Sequence, residues 1–297
     1  MKQEILNHYL KSGAFTYPGC YQEYLRTKFS DDVREIGLLV RKQIIHRTTL
    51  KNGNTGSNID LRYGDMAKVP WYRQVEDDVF PTAAAMLAEL FRRDDRGFVV
   101  DRSEENKLIL TCRFVAILTA SILKSKGIPA RVRSGFAPYF HLVGYENKSL
   151  DHWISQYWDK ARNRWVSIDV DGSLEDVGFD PYDMPVGKFD FAADAWLSIR
   201  EGKADGKHFW NASEQDGLVV VGWALFYDFH SLMSNEIIYL HEPTWVRLDN
   251  FGKLTEAQLD EIDELARLMQ DPDEHFDELK NIWETKKEFR LLEGGLL

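Results

Sequence analysis

The sequence predicts an α+β fold in which helical ends flank a short run of strands. Three observations carry this expectation. A segment at 108–126 is apolar around most of its circumference, and three strand-like runs follow it at 131–136, 152–158 and 164–169. Helical periodicity then returns from about residue 185 to the end.

The first part, 1–75, reads as a helical lead-in, with Val33, Ile36, Leu39 and Val40 at helical spacing and Ile44 and Ile45 after them. Asn52 to Asn58 is a loop by its Gly, Asn and Ser content. A helix is expected from about Pro81 to Arg93, with proline early, where its missing N–H costs least. The 108–126 segment reads as an interior helix because no face of it is polar. Lys124, Lys126, Gly127 and Pro129 mark its end. Asp159 to Asn163 supplies a turn between the last two strands. Beyond it, 217–240 reads as a second buried helix, and Thr255 with Gln258 forms a capping box backed by a Leu254–Leu259 staple. Leu259, Ile262, Leu265, Ala266 and Met269 then share one helix face, and a last helix is expected near Asp271-Pro272 using Phe276, Leu279 and Trp283. The chain divides accordingly into 1–75, a core at 76–185 and a helical region at 186–297.

Composition narrows the function classes. A net charge of −11 argues against a broad nucleic-acid surface, which needs clustered Lys and Arg to neutralise phosphates. The longest apolar run, Gly217 to Tyr227, is too short to cross a bilayer. No leader is visible at the N-terminus, and two cysteines, Cys20 and Cys112, do not make a disulfide framework. The expectation is a cytoplasmic protein without nucleic-acid or membrane partners, and Asn211-Ala-Ser213 is read as an accidental glycosylation pattern.

Thiol catalysis requires a thiolate, a base to carry its proton and a group to orient that base. Cys112 falls near the front of the apolar helix, where the helix dipole favours a thiolate and unpaired N–H groups can face an oxyanion. The hairpin offers the other two groups. A four-residue loop at 159–162 pairs Trp158 with Asn163, and in that register, whose pairs sum to 321, His152 opposes Asp169.

The blocks that carry this chemistry resemble the transglutaminase-like superfamily. Cys112 heads an apolar helix that runs into Lys126-Gly-Ile-Pro-Ala-Arg131; His152-Trp153-Ile154 and Arg164-Trp-Val-Ser-Ile-Asp169 follow in the family's order. The similarity covers about 100–172, roughly a quarter of the chain. Thr111 before the cysteine and Trp153 after the histidine depart from the residues common there and would reshape an acyl pocket. The resemblance implies a papain-like core, a central helix packed on an antiparallel sheet, with Cys112 as nucleophile, His152 as base and acid, and Asp169 as orienter. It implies a hydrolase or acyltransferase working through a thioester. The substrate would be an amide or peptide, with an amine acceptor if the acyl group is transferred, and no cofactor or metal.

Other residues compete for these roles. His141 is a rival base, and Asp171 a rival to Asp169 on the same strand face. Asp169 to Asp176 looks like a calcium loop, but its glycine is fourth rather than sixth, so an acidic turn is the better reading. No HExxH or paired-cysteine zinc pattern occurs. Asp228 and His230 inside the second apolar helix are expected to be hydrogen-bonded in the interior, with pocket lining as the alternative. Arg131 and Arg133 are read as surface charges on a strand, with binding of an acidic substrate group as the alternative. A transglutaminase-like scaffold without catalysis is the alternative to an enzyme; it has no need to keep Cys112, His152 and Asp169 together.

Overall fold

The computed structural model describes residues 1–46, 64–73, 75–140, 147–174, 176–290 and 292–293. The expected loop at 52–58 and the rival base His141 lie outside the described residues. The fold is α+β. Among the described residues the α-helices are α1 (Gln3–Leu10), α2 (Gln22–Lys28), α3 (Val33–Arg41), α4 (Ala83–Arg93), α5 (Cys112–Ser125), α6 (Ala192–Arg200), α7 (Leu218–Leu232), α8 (Leu248–Phe251), α9 (Glu256–Gln270), α10 (Phe276–Thr285) and α11 (Lys287–Arg290). A short parallel pair joins β1 (Ile44–His46) to β2 (Leu108–Leu110). The main sheet has the order β5 (Arg164–Ile168), β4 (Ser149–Asp159), β3 (Ala130–Ala137), β6 (Asp190–Phe191). That path is antiparallel, and β7 (Phe209–Trp210) adds to β4 in parallel.

The chain forms two compact units, one of 1–5, 132–153 and 185–297, the other of 6–131 and 154–184. The divisions fall inside α1, β3 and β4 and between Met184 and Pro185.

In the second of these units α5 is the centre. All fourteen of its residues are buried, and α2, α3 and α4 pack around it. Each fully buried Leu, Ile or Phe along it contributes about 1.5–3 kcal/mol, so the helix is a main source of this unit's stability. Ser155 of β4 donates to the Ala116 carbonyl at 3.2 Å, which ties the sheet to the helix backbone. The C-terminus closes as expected. Gly127 takes φ +79°, and the Gly127 and Ile128 N–H groups reach the Lys124 and Leu123 carbonyls. The start differs: 108–110 is strand β2 rather than helix, because its three apolar residues pair with β1 before the chain turns into α5 at Thr111.

The hairpin register also differs from expectation. Trp158 pairs with Trp165 and Asp159 with Arg164, so paired positions sum to 323 rather than 321. The turn sets this. The Asp159 side chain accepts from the Ala161 and Arg162 N–H groups, and Asn163 adopts φ +50°, which closes the loop one residue later on each strand. A shift of two leaves the face of every side chain unchanged. The ladder ends at Ser155 and Ile168, so the hairpin itself does not pair His152 with Asp169.

Arg131 is not a surface charge. It is buried, donates to the Gln156 side chain at 2.8 Å, and lies 4.2 Å from the Trp165 ring and 5.0 Å from the Tyr9 ring.

In the other unit α6 packs on both α7 and α9, and Trp196 of α6 donates to Asp263 of α9 at 2.7 Å. Gly135 lets β3 approach β6, since a Cβ there would stand 2.2 Å from the Asp190 carbonyl oxygen. The second buried helix stops at Leu232, eight residues short of the expected end. The Thr255–Gln258 capping box forms and opens α9. The last expected helix starts at Phe276, after a turn that follows Asp271. Arg133, expected at the surface, is also buried. Its guanidinium grips both oxygens of Asp228 at 2.9–3.2 Å, and the Ser134 N–H adds a bond at 2.9 Å. His230 lies 3.0 Å from the Phe289 carbonyl through Nε2, which donates there, and 3.1 Å from the Asn235 amide through Nδ1. Asp228 and His230 are thus both satisfied in the interior.

Two stability tests follow from this unit. Asp228→Ala strands the Arg133 charge in the interior and is expected to cost about 3–5 kcal/mol in urea denaturation, with a smaller loss for Asp228→Asn. Burial also holds His230 down, from 6.5 to about 4. The unfolded chain therefore takes up the proton first as pH falls. Stability present above pH 6.5 is lost progressively toward about pH 4, at up to roughly 1.4 kcal/mol per pH unit. His230→Gln should flatten that slope when its denaturation midpoints are compared with wild type across the same window.

Candidate active site

The site is built from the junction of β2 and α5. The β1–β2 register places His46 beside Leu110, two residues before Cys112, the first residue of α5. Gln43 anchors β1 from a fully buried position. Its side chain donates to the Leu39 and Val99 carbonyls and accepts from Arg102, and its carbonyl accepts from the Leu108 N–H.

A second set of contacts fixes the turn into the helix. Thr111 caps α5 in extended conformation without a side-chain cap bond. Its N–H is instead donated at 3.0 Å to the buried carboxylate of Asp77. Next to it, Glu76 accepts the Ile109 N–H at 2.9 Å while Arg73 and Arg93 neutralise it at 2.6 and 2.7 Å.

Three reactive groups converge here. One ligand-capable atom each of His46, Cys112 and Asp171 lies within 4.8 Å of the others, and all three residues are buried. Asp171 divides its oxygens: Oδ1 accepts from Arg41 at 3.0 Å, and Oδ2 lies 3.1 Å from Nε2 of His46. A buried Cys–His–Asp group at the start of a helix packed on an antiparallel sheet is consistent with a papain-like core and compatible with a thiol catalytic triad.

The residues expected from sequence fall as follows. Cys112 is at the head of the buried helix. Asp169 is in the same unit, just beyond β5; its N–H donates to the Pro181 carbonyl and its Oδ1 accepts from the Gly172 N–H at 2.7 Å, the acidic turn read from the sequence. His152 is buried on β4 in the other unit, with the Phe140 ring edge-on at 4.8 Å. Beside it, burial pushes the Asp151 carboxyl up to about 6, against opposing effects from His152 and the Ala212 N–H. The carboxylate beside Cys112 is Asp171, the rival to Asp169 in the sequence. His46 and Arg41 carry no sequence signal: His46 comes beside the chain before Cys112 through a three-residue parallel pairing across 64 positions, and Arg41 meets Asp171 across 130. An open cleft of about 500 Å³ in the same unit, between Asp31, Arg34, Tyr157, Trp158 and Tyr182, includes none of the three converging groups.

Comparison with known proteins matches no family, no curated protein and no solved structure. Among the described residues no helix is long and apolar enough to cross a membrane.

Asp77→Ala removes the acceptor of the Thr111 N–H and should cost about 1–3 kcal/mol, the penalty for a buried unsatisfied donor. Asp77→Asn keeps an acceptor oxygen and should recover most of that loss in thermal denaturation.

Proposed function

We propose that the chain is a cysteine-dependent hydrolase or acyltransferase that attacks amide or peptide carbonyls through a thioester. The observation that carries the reading is Cys112 at the first position of a wholly buried helix with an imidazole and a carboxylate converging on it. In this reading the Cys112 sulfur bonds to the carbonyl carbon, the oxyanion collapses, and the C–N bond breaks as the imidazolium protonates the leaving amine. Water or an acceptor amine then gives its proton to the imidazole and displaces the thiol. Water yields the acid and an amine yields a new amide.

The ordered Cys, His and Asp blocks, which resemble the transglutaminase-like superfamily, support His152 as the base and Asp169 as its orienter. The geometry supports a second assignment within the same chemistry, His46 as base with Asp171, because these two lie beside Cys112.

A thiol-directed electrophile at neutral pH tests the function. Because Cys20 is an exposed free thiol, labelling should persist in Cys20→Ala and vanish in Cys20→Ala/Cys112→Ala; labelling lost on removal of Cys20 alone would overturn the reading in favour of a non-catalytic scaffold. Once an amide substrate is found by trapping the thioester, loss of the true base should slow turnover by about 10²–10⁴. His152→Ala and His46→Ala, compared with their stability measured alongside, separate the two assignments.

A further inference from the structure

We propose that His46, Cys112 and Asp171 form a three-ligand site for a zinc-class divalent ion, whose binding holds the Cys112 thiolate out of reaction. The blocking role rests on Cys112 being the nucleophile of the preceding section; the binding itself does not.

The donor set is the first argument. A thiolate, an imidazole and a carboxylate together suit zinc, and three protein ligands leave the fourth tetrahedral position for water or a substrate oxygen. Geometry is the second. Ligand atoms about 2.0–2.3 Å from a tetrahedral ion stand roughly 3.3–3.7 Å apart. The three atoms here are already within 4.8 Å, and the His46–Asp171 separation of 3.1 Å is close to that spacing. Modest side-chain rotation closes the rest.

The surroundings are the third argument. The ligands come from three segments of one unit: β1, the head of α5 and the turn after β5. Arg41 takes one oxygen of Asp171 and leaves the other toward His46, which orients the carboxylate as an outer-shell partner does. Thiolate and carboxylate carry two negative charges against one from Arg41, so a divalent cation brings the local sum to +1 rather than adding to an existing excess of positive charge. Burial keeps water from competing for the ligands. Metal capture and thiol catalysis are compatible in alternation. The ion takes the place of the proton on sulfur, and a chelator restores the free thiol.

Cobalt(II) is the probe, titrated into the Cys20→Ala protein so that Cys112 is the remaining thiol. A sulfur-to-cobalt charge-transfer band should rise to saturation at one ion per chain and be absent in Cys20→Ala/Cys112→Ala. His46→Ala, with His46→Gln as a milder second variant, should weaken binding by about tenfold or more. Zinc should displace the cobalt and slow alkylation of Cys112, and chelator should restore it. A band that survives loss of Cys112, or no band in protein with an unchanged circular dichroism spectrum, overturns the proposal. If Cys112 alkylates readily but no band forms, the metal site fails and the thiol reading stands. If the band forms but metal-free Cys112 is inert, the site stands and the thiol reading fails.

Discussion

A helix with no solvent face must have its polar ends satisfied by the protein itself, and much of this structure follows from that constraint on α5. Its fourteen residues are all buried, so neither terminus can rely on water. At the far end a glycine in left-handed conformation folds the chain back onto the last carbonyls. At the near end the side-chain contacts act just before the helix, on the residues that lead into it. Asp77 and Glu76 hold the N–H groups of Thr111 and Ile109, and Arg73 and Arg93 hold Glu76. These contacts fix the backbone that leads into Cys112. Positioning of this kind lowers the entropy lost when a reacting group must be aligned.

The same burial governs the charges around the cysteine. An isolated carboxylate in the interior would be expensive, and Asp171 is retained because each oxygen has a neighbour, Arg41 on one side and His46 on the other. Removing any one member would leave an uncompensated group rather than a simple gap. Such a cluster is therefore a poor choice for stability alone, where apolar residues would serve as well.

Legibility followed the range of the interactions. α5, its glycine stop and the capping box of α9 were readable because each is encoded by residues within one or two turns of helix. The hairpin was readable in outline, yet its register was off by two in the paired sum, because the preference of Asp159 for capping its own turn outweighed simple loop counting. β1 and β2 were hidden. Ile44-Ile45 and Leu108-Ile109-Leu110 carry no period of their own, and both were absorbed into neighbouring helical readings. That parallel pairing brings His46 to the cysteine, so the convergence of His46, Cys112 and Asp171 was invisible while Cys112 itself was not. Arg131 and Arg133 were misjudged for a related reason. Alternation assigns a face but not whether that face is covered, and here aromatic rings and Asp228 cover both.

Asp228 and His230 show how a polar residue in an apolar helix can be assigned by what completes it. Asp228 is matched oxygen for oxygen by one guanidinium and one backbone N–H, and His230 has both ring nitrogens engaged. Neither has donor or acceptor capacity aimed elsewhere, and burial keeps His230 neutral at ordinary pH. Groups so fully engaged specify the packing of α7 against its neighbours. The contrast with Cys112 is chemical: there a thiol, an imidazole and a carboxylate lie within 4.8 Å of one another, an arrangement compatible with a thiol triad rather than a pairing of charges alone.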